Sequence, residues 1–252
     1  MVFFLVLIGL AVGSFINALV YRLQNNESIA SGRSHCTSCG YTLAWYDLIP
    51  VISFFMLGAR CRSCHGAISW QYPFVELISA LSFGLSVLVY RVNGAAAQLT
   101  TIIFFIILLI ILAYDLKYLL IPDSVSIPSI IVVIGIQIFL HPSVVYIGQL
   151  CLAGLFAAGF FYLQFMVSKG KWIGGGDIRF GFLMGVMLGI PQIGIALIGA
   201  YILGTVISLP LVALGVKGMK SEVPLGVFLS LATIVTLLWG STISAWYWHI
   251  LQ

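Results

Sequence analysis

The sequence predicts an all-α polytopic membrane protein of about eight transmembrane helices, with a small cytoplasmic zinc-ribbon-like domain between helices 1 and 2. Three observations lead there. The chain is 62% hydrophobic and 7% charged, against about 25% charged in an ordinary soluble domain. Apolar runs of spanning length recur along most of its 252 residues, and about 20 residues suffice to cross a bilayer as a helix. The one long polar stretch, 22–72, carries two Cys-x-x-Cys pairs.

Taken in order, the spans are expected at 1–21, 73–90, 98–114, 125–140, 144–167, 178–190, 193–215 and 224–248. The first run is not read as a cleavable signal peptide, because it lacks a basic leading region and Arg22 follows the apolar stretch. With 22–72 placed in the cytoplasm, ten of the eleven Lys and Arg residues fall at cytoplasmic ends: Arg22, Arg33, Arg60, Arg62, Lys117, Lys169, Lys171, Arg179, Lys217 and Lys220. Arg91 alone falls outside. The positive-inside rule then puts both termini outside. Spans six and seven are divided only by Gly189-Ile190-Pro191-Gln192.

In the polar loop, Cys36-Thr37-Ser38-Cys39 and Cys61-Arg62-Ser63-Cys64 are separated by 21 residues, close to zinc-ribbon spacing. Each pair is followed by a glycine within two residues and a tryptophan at the same offset (Trp45, Trp70), as two knuckles closing on one ion would be. Disulfides are rare in a reducing cytosol, and thioredoxin-like redox chemistry needs a βαβ context that so short a loop lacks. Four thiolates fill a tetrahedral shell, so the zinc is read as structural, with Cys36, Cys39, Cys61 and Cys64 as ligands. His35 and His65 are then solvent-facing or outside the ligand shell, and Cys151 is a small core residue.

Of seven acidic residues, Asp115 ends the third span and Asp177 begins the sixth. Both ends lie on the cytoplasmic side, because spans four and five form a hairpin. An ionisable group at membrane depth is functional by default, and two apposed carboxylates sharing one proton are the machinery of aspartic proteolysis. Gly174, Gly175 and Gly176, lacking Cβ atoms, would let a substrate strand approach and the backbone take unusual dihedrals. The bland alternative is a flexible loop ending in a helix-capping aspartate. Asp123 is explained by helix initiation, and Arg179 either orients Asp177 or obeys positive-inside.

These residues together resemble the bacterial type IV prepilin peptidases, bifunctional leader peptidases and N-methyltransferases. The likeness runs through Gly13-Ser14-Phe15-Ile16-Asn17, Tyr21-Arg22-Leu23, both cysteine pairs, Asp47-Leu48-Ile49-Pro50-Val51-Ile52-Ser53 and Ile68 to Leu77. It continues through Asp115, Ile121-Pro122-Asp123 and Gly174-Gly175-Gly176-Asp177. The resemblance implies a methylation domain over 1–91 and an aspartic peptidase domain over 92–252. It implies a multi-pass protein of the bacterial cytoplasmic (inner) membrane, its active site facing the cytoplasm. There it would cut the basic leader of prepilins or pseudopilins, serving type IV pili, competence or secretion. It would then methylate the new N-terminus using S-adenosylmethionine. Membrane lipid is the other partner, and no nucleic acid is expected. The paired catalytic aspartates map onto Asp115 and Asp177.

Departures from the family pattern are Cys-Thr-Ser-Cys for Cys-Pro-x-Cys, Arg179 for a lysine, and Val223-Pro224-Leu225-Gly226-Val227 for Pro-Phe-Gly-Pro. The last bears on how the final span lines the substrate groove and leaves the two aspartates untouched. On the methylation side, Ser14 and Asn17 suit interhelical hydrogen bonds, whereas Glu76 is a costly lone carboxylate in a span. Glu76 is expected to face Asn17 and Asp47 and to bind the α-amine or the sulfonium donor. Among rivals, a transporter would show inverted repeats or midplane charges. A zinc-ribbon adaptor leaves the aspartates unexplained, and a presenilin-like protease leaves the ribbon and Gly-Ser-Phe-x-Asn unexplained.

Overall fold

Eight α-helices carry nearly all the regular structure of the computed structural model, which describes residues 1–29, 32–214 and 223–250. They are α1 (Val2–Gln24), α2 (Ile52–Met56), α3 (Gln71–Tyr118), α4 (Asp123–Leu140), α5 (Val144–Ser168), α6 (Gly175–Leu188), α7 (Gln192–Ala213) and α8 (Leu225–Ile250). A 3₁₀ turn covers Trp45–Leu48, and no strand occurs among the described residues beyond two isolated bridges. Among the described residues, six helices (α1, α3, α4, α5, α7 and α8) are long and apolar enough to cross a membrane. Lys217 and Lys220, and the last residue of the 193–215 span, lie outside the described residues.

The eight predicted spans reduce to this set for two reasons. First, α3 holds both 73–90 and 98–114. Its helical geometry breaks at Gly94, whose φ of 82° suits a residue without Cβ. Gln98 Nε2 donates to Ser86 Oγ at 3.1 Å and Gln71 Nε2 to the Ala113 carbonyl at 3.0 Å. Residues so far apart in a helix can meet only if the two halves fold back side by side, so α3 is a helical hairpin. Second, α6 has 14 residues, a length of about 21 Å against a hydrocarbon core of about 30 Å. The predicted span at 178–190 is therefore corrected: this helix is too short to cross alone, and it is buried among its neighbours.

The chain divides into two compact units, Met1–Ala113 and Tyr114–Gln252. In the first, α1 crosses the start of α3 at two glycines one helical turn apart. A Cβ on Gly9 would lie 2.7 Å from Ala80 Cα, and one on Gly13 2.7 Å from Glu76 Cα. Small residues at such spacing let backbones approach closely, where dispersion does the holding. In the second unit α6 is the centre. A Cβ on Gly185 would lie 2.4 Å from Gly154 of α5, and one on Gly181 2.5 Å from Phe161. Gln137 of α4 donates to the Val186 carbonyl at 3.3 Å.

Candidate active site

Asp115 lies in the last turn of α3 and is buried. Its Oδ2 accepts from the Val227 amide at 3.0 Å, with the Gly226 amide also against the carboxylate. These are first-turn amides of α8, which have no partners inside their own helix and sit at the positive end of its dipole. Asp177 is the third residue of α6, not its cap: Gly174 occupies the cap position, and the Asp177 carboxylate reaches back to accept the Gly174 amide at 3.0 Å. The side chain is half-buried. Both carboxylates are thus seated on backbone donors at helix N-termini within the same unit.

Ile121 fits between their supports. It follows α3 in the short turn 119–122, which opens with Leu119 at φ 54°. A Cβ on Gly176 would lie 2.9 Å from Ile121 Cβ, and one on Gly226 3.1 Å from Ile121 Cδ1 and 2.9 Å from Asp115 Oδ2. The expectation that the three glycines take unusual dihedrals is corrected, since none of them has positive φ. Only Gly176 is sterically required, by Ile121, whereas a Cβ on Gly174 would make an ordinary contact with Asp177 Oδ2 at 3.6 Å and Gly175 has open space around it. The 223–227 stretch was expected to leave the aspartates untouched. It instead supplies the amides that hold Asp115, and no side-chain pattern could announce a backbone donor. Arg179 pairs with Asp123, which starts α4, rather than with Asp177.

In the first unit the two cysteine knuckles repeat each other bond for bond, 25 residues apart. Cys36 N donates to Tyr41 O and Cys61 N to Gly66 O, both at 2.8 Å. Leu43 N donates to Ser34 O at 2.8 Å and Ile68 N to Ala59 O at 2.7 Å. The turn residue after the first pair is Gly40 at φ 73°, and its counterpart is His65 at φ 56°, not Gly66. All five cysteines are free, which excludes disulfides between the pairs in this structure. The four Sγ atoms lie within 4.8 Å of one another, with Cys36 and Cys64 3.9 Å apart. A tetrahedral site with Zn–S of about 2.3 Å needs sulfurs about 3.8 Å apart, so the cluster fits such an ion. The Ser38 amide pulls the Cys36 thiol down to about 6. Cys64 accepts from the Gly66 amide, which lowers it, yet the sulfurs of Cys39, Cys61 and Cys36 help push it up to about 11. His65 is exposed and His35 rests edge-on against Tyr21, as expected of residues outside the shell.

The remaining polar candidates also lie in this unit. Asp47 is buried: Oδ1 takes Arg62 Nε and Nη2, each at 2.9 Å, and Oδ2 takes the Ala44 amide at 3.2 Å. Arg62 also lies over the Tyr46 ring at 4.9 Å. Asp47 therefore ties the segment after the first knuckle to the second. Glu76 Oε2 accepts from Val51 N at 2.7 Å, and the Ser14 hydroxyl is in reach. Asn17 Nδ2 donates to Tyr72 O at 3.1 Å, while its buried Oδ1 has no partner. Glu76 and Asn17 both lie where α1 meets α3, whereas Asp47 is engaged within the loop.

Comparison with known proteins gives two family matches along the chain. The Bacterial Peptidase A24 N-terminal domain matches residues 7–90 and the Type IV leader peptidase family matches residues 102–209. A prepilin leader peptidase/N-methyltransferase of Myxococcus xanthus (strain DK1622) is 32% identical over 227 residues, covering 87% of this chain and 66% of that protein. The chain belongs to the type IV leader peptidase family. Equally named family members from Aeromonas salmonicida (strain A449) and Bacillus subtilis (strain 168) are 28% and 29% identical, each over 96% of this chain and over 91% and 96% of their own lengths. No solved structure matches the chain. The family match and the six apolar helices make this a multi-pass membrane protein.

Proposed function

We propose that this chain is a prepilin leader peptidase and N-methyltransferase of the bacterial inner membrane, with Asp115 and Asp177 as its catalytic pair facing the cytoplasm. The observation that carries the reading is the pair itself: two carboxylates of one unit, each seated on backbone amides at a helix N-terminus. Fixed amides orient a carboxylate without supplying a proton. Such amides favour the ionised carboxylate, whereas two like charges set close together favour keeping one proton on the pair, and it is the second effect the mechanism needs. The ionised member takes a proton from water as it attacks the scissile carbonyl. The protonated member gives its proton to the carbonyl oxygen. The amine then leaves with the proton first removed from water, and the donor carboxylate recovers its proton from a hydroxyl of the collapsing tetrahedral intermediate. Gly174 and Gly175 present bare backbone to the substrate strand, while Gly176 seats that turn against Ile121. The Arg179–Asp123 pair holds the starts of α4 and α6 together beside them.

Residues 1–91 serve as the methylation domain and 92–252 as the peptidase domain. Zinc on Cys36, Cys39, Cys61 and Cys64 would staple the loop. S-adenosylmethionine supplies the methyl group when bound, and the acceptor oxygens of Glu76 and Asn17 suit a cationic sulfur or amine. The free Oδ1 of Asn17 is the atom that favours this placement. Asp47 enters the site by holding the adjoining loop.

The test is mass spectrometry of a prepilin incubated with purified enzyme, with and without S-adenosylmethionine, beside Asp177→Asn. Cleavage in both wild-type samples is expected, one added methyl only with the donor, and none from the variant. Intact substrate throughout would overturn the reading. Three variants probe the parts. Gly226→Ala pushes a Cβ to 2.9 Å from Asp115 Oδ2, and kcat is expected to fall about 10- to 100-fold, since small misplacements at a reacting centre cost that much. Unchanged kcat would show that the α8 amides do not matter. Cys36→Ser should reduce bound zinc and lower the melting temperature, because metal-binding energy is folding energy. Equal stability without zinc would refute the staple. Glu76→Gln should lose methylation and keep cleavage, read as the mass of the processed N-terminus.

A further inference from the structure

The 49–57 segment holds nine residues without a charge (Ile49-Pro50-Val51-Ile52-Ser53-Phe54-Phe55-Met56-Leu57) inside the one polar loop of the chain. Its depth is set by a single bond. Val51 stands at φ 62°, ψ −50°, and Ile52 N donates back to Pro50 O at 2.6 Å, which closes a γ-turn. This is a strained conformation for a β-branched residue. The Val51 amide is taken by Glu76 at 2.7 Å. Glu76 lies five residues into α3, about 7.5 Å along the helix from Gln71. The start of α2 is therefore held alongside the second turn of a membrane helix rather than above its end.

What α2 shows on its open side is apolar. Ile52 is 56% exposed, Phe55 59% and Met56 82%. Phe54 and Phe55 pack on Trp70, with ring centroids 4.9 and 6.1 Å away. Trp70 directly precedes α3 and is itself exposed. It begins an outward stripe that continues at helical spacing through Phe74, Leu77 and Leu81. That stripe is the face α3 offers to lipid, so the open side of α2 continues a surface that already meets the bilayer. The backbone suits this depth as well. Ser53 N bonds to Ile49 O, Leu57 N to Ser53 O and Ala59 N to Phe54 O, and Glu76 satisfies the amide the γ-turn leaves over. Non-aqueous surroundings demand such satisfaction.

We propose that the 49–57 segment is an interfacial anchor, with Ile52, Phe55, Met56 and Trp70 immersed in the headgroup region of the leaflet where α3 begins. Amphipathic segments of this kind sit about 5–10 Å into the headgroup–acyl boundary, the depth the Val51–Glu76 bond sets. Trp70 takes the interfacial place that tryptophan favours, and exposed Arg60 follows toward the phosphates. The occupant of this face is bilayer lipid, so the loop between α1 and α3 is part membrane and part ribbon.

The test uses full-length protein with zinc retained, reconstituted in phosphatidylcholine vesicles with and without bromine on the acyl chains. The emission added by Met56→Trp, relative to wild type, is measured under bromolipid and under aqueous iodide. Phe55→Trp serves as a second reporter in case the first does not fold. Expected is a blue-shifted added signal that bromolipid quenches by more than half and iodide leaves nearly unchanged. Quenching by iodide alone would overturn the proposal in favour of a water-exposed loop. Quenching by neither would overturn it in favour of a protein-covered face, such as a docking site for the apolar helix of a substrate.

Discussion

Asparagine in place of Asp115 or Asp177 is expected to lower leader cleavage by at least about 100- to 10,000-fold, the contribution typical of positioned acid–base groups, while the protein remains folded. The second half of that statement follows from the hydrogen bonds. An asparagine oxygen still accepts from Val227 N, where Asp115 now does at 3.0 Å, or from Gly174 N, where Asp177 does at 3.0 Å. Neither helix N-terminus loses its partner. What is lost is the ability to share and move a proton. Alanine at 115 is a different experiment, because it strands the α8 amides without an acceptor at about 1–3 kcal/mol. Cleavage rate and thermal stability measured together separate the two. An asparagine variant with near-wild-type cleavage would remove that carboxylate from the mechanism.

The largest structural effect is expected at Gly185, well inside the second unit. A Cβ there would lie 2.4 Å from both Gly154 N and Gly154 Cα, with Ala153 C at 2.5 Å. These are backbone atoms of α5, which cannot rotate aside as a side chain can. Gly185→Leu must therefore separate α5 from α6, and overpacking typically costs roughly 1–3 kcal/mol, more where backbone has to move. Since Gly174 caps α6 and Asp177 lies in its first turn, displacing the helix also carries Asp177 away from its place near Asp115. Lower yield of folded protein and a fall in melting temperature are expected together with loss of cleavage. Gly159→Leu is the control, because nothing lies within 4 Å of a Cβ at that glycine of α5. Equal stability of the two variants would show that the α5–α6 contact is not the close crossing described.

Much of the site was legible before folding. The four cysteines announce themselves because thiolate ligation needs that residue type at short spacing, and Asp115 and Asp177 because carboxylates are rare in so apolar a chain. Their supports were hidden for a common reason. Val227 and Gly174 act through backbone amides, which every non-proline residue possesses. Ile121 acts through its position against Gly176 and Gly226, and isoleucine is everywhere in this composition. The partners of Asp47, the Arg62 guanidinium and the Ala44 amide, were hidden in the same way, since neither stands beside it in the chain.

The sequence by itself determined the membrane character, the family, the cysteine cluster and the two aspartates, because each rests on side-chain chemistry or on the apolar length a span requires. Tertiary structure alone decided that α3 folds back at Gly94, that α6 is a short buried helix, and that α8 offers its first amides to Asp115. It also decided that His65, rather than Gly66, turns the second knuckle, and that Glu76 holds the strained Val51 turn at membrane depth. Those outcomes depend on which backbones approach closely and which amides remain unpaired, properties that exist only once distant segments have met.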